Sequence, residues 1–299
     1  MSLRRPPLRL LLSLIALLIA GPAQAQLLRL KPREAGPPPG TPPSAAEIWP
    51  FPPPDPKTWW TDKRPAPPEA ADPLGGRRLR RGEQTPRPEN GVDPSTYRLW
   101  GLPPLQWQVL RGDELILEVW TRPTNSVRQT VTRIVLRDDG EGFVQARAGL
   151  ACCEASIGRR VGFDASLPRD AIPGLRALRA ARVWTSPRDV RSFQPGMTDP
   201  ICVQGTAYDL TLAERGRTLT RHRACDSAEV GEAADVLERV LAAALRHEPR
   251  FDALFPGGAD FASAREDYTA LLAAGGGLKP NPDARSAPPG AEGAPTPEP

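Results

Sequence analysis

The sequence predicts an α+β domain in which antiparallel hairpins pack against C-terminal amphipathic helices, with proline-rich disordered segments on both sides. Three observations support this. Runs of β-branched residues alternate with turn residues from about residue 114 to 225, apolar residues recur at helical spacing after residue 226, and prolines concentrate outside this region. Strands in consecutive hairpins followed by helices favour α+β over alternating parallel units.

Residues 1–25 have the three-part order of a secretory signal peptide. Arg4 and Arg5 precede an apolar stretch at residues 10–20, and the small-residue triplet Ala-Gln-Ala at 23–25 predicts cleavage after Ala25. The apolar stretch is shorter than the roughly 20 residues that a membrane-spanning helix needs, and no later segment approaches that length. We therefore expect no membrane span and a periplasmic or secreted location.

Two segments are too rich in proline or glycine to predict a fold. Residues 31–94 contain 18 of the 38 prolines, and proline lacks a backbone donor and holds its predecessor extended. Residues 26–95 are therefore predicted to be a disordered linker and residues 275–299 a disordered tail. Residues 96–274 remain as a single domain.

The first half of this domain is predicted to consist of strands. Residues 114–120 and 127–137 are rich in apolar and β-branched residues, and the turn residues 138–142 connect them to a strand at 143–148. A further strand is expected at 157–163.

The second half combines a hairpin with helices. Apolar spacing predicts a helix at 170–182, with Pro173 in its first turn. A turn at 214–216 separates two predicted strands, of which the first begins at Cys202 and the second ends at Cys225. Amphipathic spacing then predicts a helix from residue 226 or 227 to 247, and a shorter one at 262–273.

The four cysteines are interpreted first as disulfides, because exported chains meet an oxidising environment. We expect Cys202 to pair with Cys225, although a tight turn at residues 215–216 would place Cys202 opposite residues near Glu229. Cys152 and Cys153 are adjacent and point to opposite faces of a strand, so their pairing stays open between a vicinal disulfide and two thiols.

No catalytic, metal or cofactor site is assigned from the sequence. His222, Cys225, Cys152 and Cys153 are ligand types that zinc or copper accepts, but His222 and Cys225 have opposite parity on one strand. The Gly-x-Ser-x-Gly pattern of serine hydrolases is absent. A hydrolase or a thiol- or metal-dependent redox enzyme near Cys152, Cys153 and His222 is kept as the alternative.

The proline-rich linker contains two groups that could contact a partner. Trp49, Phe51, Trp59 and Trp60 are aromatic residues in a segment that is otherwise typical of disorder, and an extended aromatic-proline segment can dock with little entropy loss. They are predicted either to bind a partner or to cover an apolar patch of the chain's own domain. The arginines of residues 77–81 form a basic cluster that could touch anionic lipid or a wall polymer.

The charge balance excludes a generic nucleic-acid-binding protein. The formal net charge is +4, and removing the three arginines of the leader leaves +1, whereas such proteins gather basic charge on one face. The leading interpretation is an exported, non-catalytic envelope protein whose domain contacts another protein or a wall component.

Overall fold

The computed structural model describes residues 72–123, 128–152, 156–196, 205–224, 227–247 and 259–282. These residues form an antiparallel six-stranded sheet with helices, which confirms the α+β class. Its strands are β1 (Leu115–Pro123), β2 (Arg128–Leu136), β3 (Gly142–Cys152), β4 (Ser156–Ser166), β6 (Thr206–Glu214) and β7 (Arg217–Ala224). Their order in the sheet is β4-β3-β2-β1-β6-β7.

Four α-helices accompany the sheet in the described residues. They are α1 (Pro94–Leu99), α2 (Ala171–Ala177), α3 (Ser227–Ala242) and α4 (Ala262–Ala273), and short 3-10 turns occupy Leu105–Trp107, Leu178–Ala180 and Arg182–Thr185. The predicted helix at 262–273 coincides with α4. Pro173 lies in the first turn of α2, where its missing N–H costs no intrahelical bond.

The β6–β7 hairpin has the tight turn that the sequence predicts. Glu214 pairs with Arg217 across it, and the register continues without a bulge to Ala207 opposite Ala224. With a tight turn and no bulge in the described part of the hairpin, the predicted Cys202–Cys225 bridge requires the chain to depart from this register beyond the strand ends. Both cysteines lie outside the described residues.

One face of the sheet carries the larger core. Leu115, Leu117 and Val119 alternate along β1 and are fully buried, in one cluster with Leu237 and Val240 of α3. The apolar side chains at every second position of β1 pack with the apolar face of α3, as the sequence pattern predicts.

The opposite face is covered by residues 72–110, which we call the cap layer. It buries a second apolar cluster against Ile116, Trp120, Val131, Val135 and Ala213 of the sheet. The contributing side chains of the cap layer are Leu74, Val92, Tyr97, Trp100, Leu102, Leu105 and Leu110.

The position of the cap layer corrects the predicted linker, which extends to residue 95. Leu74 and Val92 are buried, and the backbone N–H groups of Arg87 and Glu89 donate to the hydroxyls of Thr218 and Thr220 on β7 at 3.2 Å. Proline prevents helix and central strand here, but it does not prevent an extended chain from lying on a sheet. The rest of the linker, residues 26–71, and the signal peptide lie outside the described residues.

A small ribbon corrects the predicted tail. β5 (Val190–Phe193) pairs with β8 (Gly277–Pro280), so the fold continues past residue 275. Four residues are too few to show a period, which is why neither strand is predicted. Residues 283–299 of the tail lie outside the described residues.

Candidate functional site

A fully buried carboxylate joins the cap layer to the sheet. Glu118 of β1 accepts hydrogen bonds from the Tyr97 hydroxyl at 2.6 Å, the Trp120 indole N–H at 2.7 Å and Arg133 Nε at 2.7 Å. The side chains of Glu118 and Arg133 are 0% and 1% exposed. A buried charge is tolerated only when it is paired and hydrogen-bonded, and both of these charges are.

The same network fixes the cap layer from its other side. Arg133 Nη1 donates to the Pro103 carbonyl at 2.6 Å, and its guanidinium lies 5.0 Å from the centre of the Tyr97 ring. Asn90 Nδ2 donates to the Tyr97 hydroxyl at 3.0 Å. Burial, and secondly the Glu118 charge, raises the pKa of Tyr97 well above its ordinary value, so the hydroxyl remains a donor.

Three exposed side chains stand on this fixed layer, and we call them the Trp107 surface. Trp107 is 54% exposed and Leu99 is 38% exposed, whereas their neighbours Trp100 and Leu105 are buried. The guanidinium of Arg98 lies 5.5 Å from the centre of the Trp107 ring. The surface thus combines a large aromatic face, an aliphatic group and a cation on a backbone that the buried network orders.

The Trp107 surface contains residue types that are common at protein interfaces. Tryptophan and arginine are the residue types most enriched at the energetic centres of protein interfaces. Three of the four exposed large apolar residues described, namely Leu79, Leu99 and Trp107, belong to the cap layer, and Leu272 of α4 is the fourth.

A histidine–aspartate pair is the second candidate. His222 Nδ1 lies 2.7 Å from Oδ1 of Asp209, on the neighbouring strand β6, and Asp209 also pairs with Arg122 of β1. The Asp209 side chain is 7% exposed and that of His222 is 37% exposed. The sequence does not predict this partner of His222, because pairing across strands depends on the register.

The hydrogen bond that His222 donates to the Asp209 carboxylate raises the pKa of His222 above its ordinary value. Burial opposes this increase, the charges of Asp209 and Asp189 support it, and Arg122 opposes it weakly. An imidazole oriented by a buried carboxylate is the arrangement of a general base. The pair therefore has two of the parts of an acid–base centre.

The sheet order separates His222 from Cys152. Cys152 is the last residue of β3, and β3 lies four strand positions from β7, roughly 19 Å at the usual spacing of strands. A direct ligand set or dyad that joins these two residues is not supported. Among the described residues, no three His, Cys, Asp or Glu side chains lie close enough together to hold a metal ion.

Most residues that the sequence singles out fall outside the described part of the chain. These are Trp49, Phe51, Trp59, Trp60, Cys153, Cys202 and Cys225. For Cys152 the structure describes the backbone, which pairs with Ser156, and not the side chain. Their predicted roles therefore remain predictions.

The sequence does not single out Trp107. It lies in the short segment between Pro104 and Val109, where nothing in the sequence distinguishes it from a buried aromatic residue. Only the structure, in which Trp100 and Leu105 pack inward, shows that Trp107 is exposed.

No family model matches the chain, and no curated protein or solved structure shows significant similarity to it. No helix in the described ranges has both the length and the apolar character needed to cross a membrane.

Proposed function

We propose that this chain is an exported envelope protein whose folded domain binds another envelope protein through the Trp107 surface. The single observation that carries the proposal is the half-exposed Trp107 with Arg98 against its ring. The layer that presents it is held by hydrogen bonds of Tyr97 and Pro103 to a buried ion pair of the sheet. A preorganised aromatic anchor loses little entropy on binding.

The composition of the surface favours a protein partner. Trp107 and Leu99 fit an apolar pocket, and Arg98 suits a carboxylate beside that pocket. The partner is accordingly expected to offer an apolar depression with an acidic rim. If the domain binds a purified wall polymer and no protein, the proposed protein partner is wrong.

The aromatic segment at residues 48–60 is proposed as a second contact. It precedes the first described residue, Asp72, by 12 positions, a reach of about 40 Å when extended. The segment is thus long enough to contact either the same partner or the chain's own cap layer. Deleting residues 48–60 and measuring both thermal stability and partner binding tests this contact, and the idea fails if neither changes.

The main test places a photo-crosslinking amino acid at position 107 of the full chain in intact cells. Position 272 serves as the matched control, because Leu272 is exposed like Leu99 but lies on α4. We expect a discrete product at 107 that is absent at 272. The partner identified by mass spectrometry is then purified, and its affinity for the Leu99→Ala and Leu272→Ala variants is compared.

A hydrolase centred on His222 is the second candidate function. The observation that favours it is the Asp209 carboxylate 2.7 Å from the imidazole. A His222→Gln variant tested against ester and phosphodiester model substrates decides it. Loss of a measurable hydrolysis would support the candidate, whereas equal rates for both proteins would remove it.

A further inference from the structure

A short loop at the start of the cap layer is held rigidly on the domain. Residues 77–83, which we call the arginine loop, are fixed at one end by Arg77, whose two terminal nitrogens bond to the two carboxylate oxygens of the buried Glu114. At the other end Glu83 accepts two hydrogen bonds from Arg111, at 2.8 and 3.0 Å. Both anchors are bidentate pairs, the strongest geometry for such contacts.

The tip between these anchors is also ordered. Glu83 N donates to the Arg80 carbonyl at 3.0 Å, and Glu83 Oε2 accepts from Arg80 N at 2.7 Å. Gly82 has a φ of 83°, a conformation that glycine adopts without strain. The backbone of the loop is therefore ordered where its remaining side chains are attached.

Those remaining side chains face solvent. Leu79 is 53% exposed, and Arg78, Arg80 and Arg81 on either side of it are also exposed. Within the described residues none of these three guanidinium groups forms an ion pair. In the sequence, Arg77 is one of the arginines of the basic cluster. In the structure, Arg77 binds Glu114 and anchors the loop. The exposed arginines are therefore Arg78, Arg80 and Arg81, which flank Leu79.

We propose that the arginine loop docks onto an anionic lipid bilayer surface, with Leu79 entering the interface and the three arginines contacting lipid phosphates. An arginine close to an anionic membrane strengthens binding about fivefold. Burying the leucine side chain adds about another tenfold. The three arginines and the leucine together should strengthen membrane binding about a thousandfold, as expected for a reversible peripheral membrane contact.

Leu79 is what favours a bilayer over an anionic wall polymer. A hydrated anionic polymer would bind the three arginines as well as a bilayer does. It has no apolar interior, however, in which an exposed leucine is stabilised. The contact is separate from the Trp107 surface, so it does not depend on the proposed protein partner.

The test is vesicle co-sedimentation with the chain from Gln26 to Pro299, which omits the apolar leader that would itself bind lipid. Vesicles contain phosphatidylethanolamine with phosphatidylglycerol, or phosphatidylcholine alone. We expect binding to the anionic vesicles only, weakened by added salt. Arg80→Glu/Arg81→Glu should lower the affinity at least 25-fold, and Leu79→Ala about tenfold.

Matched controls separate a local site from a general charge effect. Arg169→Glu/Arg215→Glu changes the net charge equally at two exposed positions elsewhere, and Leu272→Ala removes an exposed leucine from α4. Both should leave affinity within about twofold, with equal thermal midpoints for all variants. Equal loss in the control double variant, equal binding to neutral vesicles, or loop-dependent binding to purified wall polymer without vesicle binding would each overturn the proposal.

Discussion

At the scale of single residues, the domain depends on charges placed where water cannot reach them. Glu118 and Arg133 lie opposite each other on β1 and β2, beneath Tyr97 of the cap layer. The sequence shows both charges in strands but cannot pair them, because the pairing follows from a register that only the folded hairpin sets. The same holds for Asp209 and His222 on β6 and β7.

Arg133→Met should destabilise the protein by about 3–5 kcal/mol, because it leaves the Glu118 charge buried without its cation. Chemical denaturation measures the change in the free energy of unfolding. Arg137→Met is the control, since Arg137 pairs with the half-exposed Asp139 and Glu141 and such pairs contribute about 1 kcal/mol or less. Equal losses in the two variants would contradict the structural role of the buried pair.

Asp209→Asn should lower the pKa of His222, because a neutral amide replaces the charged acceptor that chiefly raises that pKa and Arg122 then opposes the imidazolium. Protonation of His222 stabilises the fold. That contribution is complete below the unfolded-state value near 6.5 and is lost as pH rises through the folded-state pKa.

NMR titration of the two histidines measures this shift, and His247→Gln assigns the signals. The groups that face His222 are Asp209, Arg122 and Asp189. The His247→Gln substitution leaves all three unchanged. An unchanged His222 pKa in Asp209→Asn would show that the pair is not formed in solution.

At the scale of elements, the segments with a strong local pattern are those that the sequence predicts well. The α4 helix and the β6–β7 turn occur where predicted, because helical spacing and an Arg-Gly turn are local properties. The cap layer is missed because its regularity is not local. Leu74 and Val92 stand among prolines, and only contact with the sheet distinguishes them from linker residues.

The contact between α3 and α4 depends on a glycine. A Cβ on Gly231 would lie 1.9 Å from the Ala264 carbonyl oxygen, so alanine there must force the helices apart. We expect Gly231→Ala to lower the thermal midpoint of unfolding despite the better helix propensity of alanine.

Gly174→Ala in α2 is the matched control. A Cβ at Gly174 would meet only the Arg239 guanidinium, at an ordinary 3.5 Å, and the substitution should be neutral or stabilise by up to about 1 kcal/mol. A Gly231→Ala protein at least as stable as wild type would show that α4 does not pack as described.

At the scale of the whole molecule, the sheet is covered on both faces, and the two proposed binding surfaces lie on one of the two covers. The cap layer carries the Trp107 surface and the arginine loop, while α3 on the other face carries the larger apolar core. The residues that the sequence proposes for binding and cross-linking lie mainly outside the described ranges, so the predicted signal peptide, disulfide and aromatic segment remain predictions.

The predicted Cys202–Cys225 disulfide should contribute about 3 kcal/mol, since it closes a loop of roughly two dozen residues in the unfolded chain. Thiol counting on native and denatured protein tests its existence. Thermal unfolding with and without reductant tests its contribution. The Cys202→Ala/Cys225→Ala variant should lose the effect of reductant, and an undiminished effect would assign it to Cys152 and Cys153.

The proposed binding role of the Trp107 surface is tested most directly by the affinity of the Trp107→Ala variant for the purified partner, measured by calorimetry. Trp107→Ala should weaken binding at least 30-fold, the effect of losing a central aromatic anchor. Because the buried half of the Trp107 ring also packs on the domain, the affinity is measured well below the thermal midpoints of both proteins. An affinity within twofold of wild type would contradict the assignment of this surface as the interface.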